Sequence, residues 1–103
     1  KWYQKAADQG DSRAQHNLGN MYYNGRGVKQ SDKDAVKWYQ KAADQGYSWS
    51  QHNLGLMYAN GRGVKKSYDS AVNLIKRAAE NGHVKAEKRL KTLEKAFEKS
   101  VTD

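Results

Sequence analysis

The chain has no cysteine. That excludes disulfides, thiolate nucleophiles and cysteine-based metal sites, while leaving the compartment open, because cysteine-free chains suit oxidising and reducing spaces alike. It has no apolar run of about eighteen residues, the length that marks a membrane-spanning helix, so no membrane insertion is expected. There is no signal-like start either, but Lys1 falls inside a repeating unit, and further repeats are expected to precede it in the parent protein. Only 37% of the 103 residues are hydrophobic and 29% are charged, too lean a composition for a thick, many-layered core and one that suits a thin solenoid. Motifs of catalysis are missing too. No glycine-rich phosphate loop has the required spacing, Gly25-Arg26-Gly27 being a turn that recurs at Gly61-Arg62-Gly63, and no carboxylate pair lies off the helix surfaces. The chain is read as non-enzymatic, with no cofactor.

What the chain does have is a stretch that occurs twice. Lys1 to Lys29 and Lys37 to Lys65 share 24 of 29 residues at an offset of 36. The offset continues into a degraded third copy, where Gly82 follows Gly10 and Gly46, and Leu90 follows Leu18 and Leu54. A fixed period of this length marks a helical repeat protein. The spacing of Ala35, Trp38, Tyr39, Ala42 and Ala43 places them on one helical face, and Ala14, Leu18, Met21 and Tyr22 form the core face of the helix before it. That earlier helix is expected to start at a Ser12 N-cap and to end in the Asn24-Gly25 turn. Ser31 with Asp34 reads as a capping box. Gly19 and Gly55 lie mid-helix, where each costs about 1 kcal/mol against Ala, so a close approach by the small residues Ala35 and Ala71 is expected there.

The expected architecture is all-α: a thin solenoid of about two and a half 36-residue helix-turn-helix repeats with a longer C-terminal capping helix. The single domain divides into the end of a truncated repeat (1–10), two repeats (11–46 and 47–82) and a cap (83–103). In the cap, Lys91 replaces Gly19 and Gly55, so nothing is expected to press there, and Ala86, Leu90, Leu93, Phe97 and Val101 make the apolar stripe.

The units Ala14-Gln15-His16-Asn17-Leu18-Gly19-Asn20-Met21-Tyr22, Asn24-Gly25-Arg26-Gly27-Val28 and Ala35-Val36-Lys37-Trp38-Tyr39-Gln40-Lys41-Ala42-Ala43-Asp44-Gln45-Gly46 resemble the Sel-one-like repeat, or SLR, a relative of the tetratricopeptide repeat. The resemblance covers residues 1 to about 90. It implies a right-handed α/α superhelical solenoid used as a protein-binding scaffold, of the kind found in bacterial periplasmic, secreted and host-interaction proteins and in eukaryotic quality-control adaptors.

In such a stack the first helices line the concave face. Opposite their core stripe lie Arg13, His16, Asn20 and Tyr23, then Trp49, His52, Leu56 and Ala59 in the second copy, and Lys85, Lys88, Thr92 and Lys95 in the third. Most differences between the two near-identical copies fall here, Arg13 against Trp49, Asn20 against Leu56 and Tyr23 against Ala59. Arg13, His16, Asn20, Tyr23, Trp49, His52, Leu56, Lys85 and Lys88 are therefore the candidate partner-binding residues, with Trp49 either an anchor or a filler against the next repeat. A metal site at His16 and His52 is not expected, since neighbouring helix axes lie about 8–10 Å apart. The net charge of +8 strengthens toward the C-terminus and favours a partner protein or peptide of acidic character. Two alternatives stand beside this reading: a nucleic-acid binder, which the interspersed Asp8, Asp11, Asp32, Asp34 and Asp44 disfavour, and a spacer between domains. Trp2 and Tyr3, without a first turn to cover them, suggest end-to-end association.

Overall fold

The computed structural model describes the backbone of residues 2–102 and the side chains of residues 4–99. Among the described residues six helices follow one another: α1 (Trp2–Asp8), α2 (Ser12–Asn24), α3 (Asp32–Asp44), α4 (Ser48–Asn60), α5 (Tyr68–Glu80) and α6 (Val84–Thr102). The spans of α4 and α5 are those of α2 and α3 moved along by the 36-residue period. Each helix packs on the next in sequence, giving an α/α solenoid of 47 × 27 × 17 Å. The side chains of Trp2, Tyr3 and Val101, on which the expected end-to-end contact and the last position of the cap stripe rest, lie outside the described residues.

The helix starts differ in detail from the sequence expectation. Asp11 caps α2, its carboxylate accepting from the Arg13 and Ala14 N–H groups, and Ser12 is the first helical residue. Both residue types cap well, and the two bonds that a carboxylate makes decide the boundary. At the same place in the second repeat, Tyr47 offers no side-chain bond to α4. Ser31 does cap α3, its hydroxyl accepting from the Asp34 N–H. The box is not closed by Asp34, because the Ser31 N–H donates to the carbonyl of Tyr22 and so ties the start of α3 to α2. Ser67 and Tyr58 repeat this tie.

The core is thin and rich in alanine. Ala7, Ala14, Leu18 and Trp38 form one cluster; Ala35, Tyr39, Ala43, Leu54, Met57 and Leu74 the next; Ala59, Ala71, Ile75, Ala78, Ala86 and Leu93 the last. Gly19 and Gly55 are notches for the second helix, as expected, but the groups that fill them are larger than expected. A Cβ on Gly19 would stand 2.6 Å from the Tyr39 ring, and one on Gly55 would stand 2.5 Å from Cγ1 of Ile75 and 3.2 Å from the Ala71 carbonyl. The notch thus receives Tyr39 and Ile75, one helical turn beyond Ala35 and Ala71. On α6 the corresponding Lys91 is exposed.

Amides sew the repeat boundaries. Gln15 Nε2 donates to the Ala7 carbonyl, and Gln45 Nε2 donates to Gln15 Oε1 and the Gly10 carbonyl. One period later, Gln51 donates to Ala43, and Asn81 to Gln51 Oε1 and the Gly46 carbonyl. A second seam joins the turns. Arg62 makes a two-bond ion pair with Asp32 at the start of α3, at 2.8 and 3.3 Å, while its guanidinium lies 4.3 Å over the Tyr23 ring and donates to the Tyr23 hydroxyl. The guanidinium holds the Asp32 carboxyl below the usual carboxylate range.

Gly63 lets these turns meet. It has a φ of +73°, and a Cβ there would fall 2.6 Å from the Asp32 carbonyl oxygen, whereas the equivalent Gly27, at φ +75°, would meet only Met21 Cε at 3.4 Å. Gly27→Ala should therefore cost about 1–2 kcal/mol of left-handed strain. Gly63→Ala should add a backbone clash and weaken the Arg62–Asp32 pair, reaching about 2–4 kcal/mol. Urea unfolding of both variants checks this; equal losses would mean that the turn-to-turn contact contributes nothing.

Candidate functional site

The first helices α2 and α4 run side by side, and a groove of about 220 Å³ lies between their C-terminal halves. Asn20, Tyr23 and Asn24 come from α2, Asn53, Leu56, Met57 and Asn60 from α4, Tyr39 from α3, and Arg62 from the turn that follows α4. Asn24 and Asn60 each donate to the carbonyl one turn back, Asn20 and Leu56 respectively, which fixes the side chains, and their amide oxygens accept from no donor among the described residues. Asn20 Oδ1 accepts from the Tyr39 hydroxyl, and burial pushes that phenol up to about 12. The groove is thus lined by Leu56 and Met57 together with amides, two phenols and one guanidinium. Fixed amides, each with a donor and an acceptor, suit hydrogen bonding to a peptide backbone more than any bond-making step.

Asn20, Tyr23 and Leu56, among the residues expected from sequence, meet in this groove. Arg13 is exposed nearer the start of α2. Trp49 is 48% exposed at the start of α4 and packs its edge on His83, ring centres 4.3 Å apart, so it both fills and protrudes. Lys85 and Lys88 are exposed on α6, where with Arg89, Thr92 and His52 they line a separate depression of about 260 Å³.

His16 and His52 do not lie on an open face, as the helical stripe predicted. They are 8% and 7% exposed. His16 is packed between Tyr39 and Tyr47, and its Nδ1 shares a 2.7 Å hydrogen bond with the Ser50 hydroxyl. His52 faces His83 at 4.8 Å between ring centres; one period after Ser50 stands Ala86, and His52 Nε2 has no partner. Burial lowers both imidazoles to about 4, aided at His52 by the charges of His83, Arg89 and Lys85. Ala59, on the same stripe, is also buried in the core. The reason is the stack: this side meets Tyr39 of α3 and Ser50 and Tyr47 of the next repeat at His16, His83 of the turn ahead of α6 at His52, and both α5 (Ala71, Ile75) and α6 (Ala86, Leu93) at Ala59.

Sequence reasoning missed Asn24, Asn53, Asn60, Arg62 and Arg89. The first three are identical in both copies or belong to the turns, and so read as scaffold; Arg62 meets Asp32 thirty residues away, with no local pattern to announce it. No group of three or more His, Cys, Asp or Glu side chains that could hold a metal occurs among the described residues. No helix among them is long and apolar enough to cross a membrane.

The Sel1 repeat family profile matches residues 1–11, 12–47 and 50–83. Among solved structures, a Sel1 repeat protein from Oxalobacter formigenes is 41% identical, with a TM-score of 0.87 over 88% of this chain and 68% of its own. The protective antigen c5321 of uropathogenic Escherichia coli, which displays an SLR fold, is 46% identical with a TM-score of 0.77, over 79% of this chain but only 17% of its own. Helicobacter pylori cysteine rich protein B is 28% identical with a TM-score of 0.79, over 82% of this chain and 64% of its own. No curated protein matches the sequence significantly.

Proposed function

The chain belongs to the Sel1 repeat family, whose members are generally protein-interaction scaffolds, and from that premise we infer that it is a non-catalytic scaffold holding a protein or peptide along its concave face. The observation that carries the reading is the groove between α2 and α4, where Asn24 and Asn60 present fixed amide oxygens, with no donor among the described residues, in a lining that includes Leu56 and Met57. Amides serve the backbone of an extended segment, and Leu56 and Tyr23 give its side chains a surface. Arg13, Trp49, Lys85 and Lys88 extend the face toward both ends. The clustered cations of α6 favour a partner of acidic character, for which charge adds association rate and orientation more than affinity. In this reading the repeats at 11–46 and 47–82 supply the recognition, and residues 83–103 cap the stack. The aromatic pair Trp2 and Tyr3 offers a route to end-to-end association. The same cations favour nucleic acid as a second reading, which a steep loss of affinity with salt, in the absence of a protein partner, would support.

Peptides selected from a random library against the wild type test the groove. Asn24 and Asn60 are exposed, so Asn24→Ala/Asn60→Ala should leave the melting temperature nearly unchanged. The loss of two backbone-directed bonds, about 1 kcal/mol each, should weaken the selected peptides by roughly tenfold or more. Full retention of affinity would place the peptides elsewhere.

A further inference from the structure

The depression beside α6 combines two features that the groove lacks. Its cations have no counter-ions: Lys85, Lys88 and Arg89, spaced at i, i+3 and i+4 on one face of α6, form no salt bridge with any described residue, and no carboxylate lines the depression. Its fourth wall is His52, and behind His52 lies His83, both more than nine-tenths buried and both with an Nε2 that has no hydrogen-bond partner. A buried polar nitrogen without a partner costs about 1–3 kcal/mol. Here two such nitrogens sit on facing rings directly beneath a patch of uncompensated positive charge.

Resting on the protein-binding reading above, we propose that His52, Lys85, Lys88 and Arg89 form a proton-linked seat for the carboxylates of an acidic segment of the partner, so that docking of the segment and protonation of the His52–His83 pair strengthen each other. The occupant follows from charge and shape. The lining runs from Lys85 to Thr92, about 10 Å of helix at 1.5 Å per residue, a length that accommodates carboxylates spaced along a peptide rather than one compact anion. The charged groups facing His52 are His83 from the turn ahead of α6 and Lys85, Lys88 and Arg89 on α6; α3 and α5, also packed on α4, bring none. With the seat empty, burial and these cations hold His52 neutral, at about 4. Carboxylates placed over the cations reverse the local field, and the imidazolium becomes the favoured form. By linkage, the factor by which the peptide favours the proton is the factor by which the proton favours the peptide.

The sign follows directly. A seat that returns His52 from about 4 to its ordinary 6.5 takes up a proton between those values, so binding tightens as pH falls. The probe is an oligoaspartate of about a dozen residues, which stays ionised in that range. Its affinity, by isothermal titration at low salt, should rise about tenfold from about pH 7.5 to about pH 5.5. The His52 resonance, assigned by comparison with His52→Gln, should titrate at least about one pH unit higher with peptide than without. Lys85→Gln/Lys88→Gln, at exposed positions, should abolish both effects even if His52→Gln does not fold. Affinity that ignores pH, or a His52 midpoint that the peptide does not move, overturns the proposal. So does a failure of oligoaspartate to bind while groove-selected peptides still do, a result that removes the seat and leaves the scaffold reading intact. Binding of an oligonucleotide in place of the peptide overturns it as well and assigns the cations to phosphates.

Discussion

Acidification should unfold the free protein well above the range in which its carboxylates titrate. His16 and His52 are buried as neutral rings at about 4, whereas the same side chains in the unfolded chain titrate near 6.5, so the unfolded state binds more protons between those values. Stability is then full above about pH 6.5 and falls as pH drops toward 4. The His83 imidazole, lowered by burial and then by Lys85, acts in the same direction. At 1.36 kcal/mol per unit, each of His16 and His52 should remove about 2 kcal/mol by pH 5 and about 3 kcal/mol by pH 4. Two such losses approach the whole stability of an ordinary domain, about 5–15 kcal/mol. Asp32 acts oppositely placed in pH: its carboxyl is lowered by Arg62, so its contribution is kept above 3.8 and disappears only below it. Urea unfolding at pH 7, 6, 5 and 4 separates the two windows. A midpoint unchanged from pH 7 to pH 5 would show that neither ring is held neutral, and His16→Gln/His52→Gln should flatten the curve in that interval.

Tyr39→Ala should be the most damaging single truncation. Tyr39 is 1% exposed, fills the Gly19 notch, packs at a tilt on His16 with ring centres 5.5 Å apart and anchors the cluster of Ala35, Leu54, Met57 and Leu74 that joins the two repeats. Removing a buried aromatic side chain costs about 3–5 kcal/mol, part of it for the cavity left behind. In a domain of this size that is a fall of roughly 15–30 °C in melting temperature. Circular dichroism melting of Tyr39→Ala against Tyr39→Phe tests the claim. The Phe variant keeps the ring and loses only the bond to Asn20, about 1 kcal/mol. A Tyr39→Ala loss no larger than that of Tyr39→Phe would contradict the packing role.

How far the sequence could be read depended on whether a feature was local to one repeat. The helix spans, the αL turns at Gly25 and Gly61 and the buried faces of α3 and α5 follow from period and composition, and the structure has them. Contacts between repeats were less legible. His16 lies outside the core stripe read for its own helix, and Tyr39 of α3 together with Ser50 and Tyr47 from the next repeat turns that side into an interior. The groove was obscured for the opposite reason. Comparing the copies directs attention to what differs, Arg13 against Trp49, whereas Asn24 and Asn60 are the same in both and lie at the helix ends, where turn chemistry already accounts for them. The cationic stripe of α6 was visible as Lys85 and Lys88, but Arg89 joins it only once the helix is set against His52.

The amide seams bear on how such a chain can grow. Gln45 donates backward to Gln15 and Gly10, and Asn81 donates backward to Gln51 and Gly46, so each 36-residue cassette carries the donor for the boundary behind it and the acceptors for the boundary ahead. A gene duplication that inserts one whole cassette therefore creates a junction whose polar groups are already matched. An insertion one residue longer or shorter within a helix would rotate the remainder of that helix by about 100° and carry its amide away from its partner. The geometry of the seam acts as a reading frame for lengthening, and surface residues such as Arg13 and Trp49 remain free to diverge once a new copy is in place.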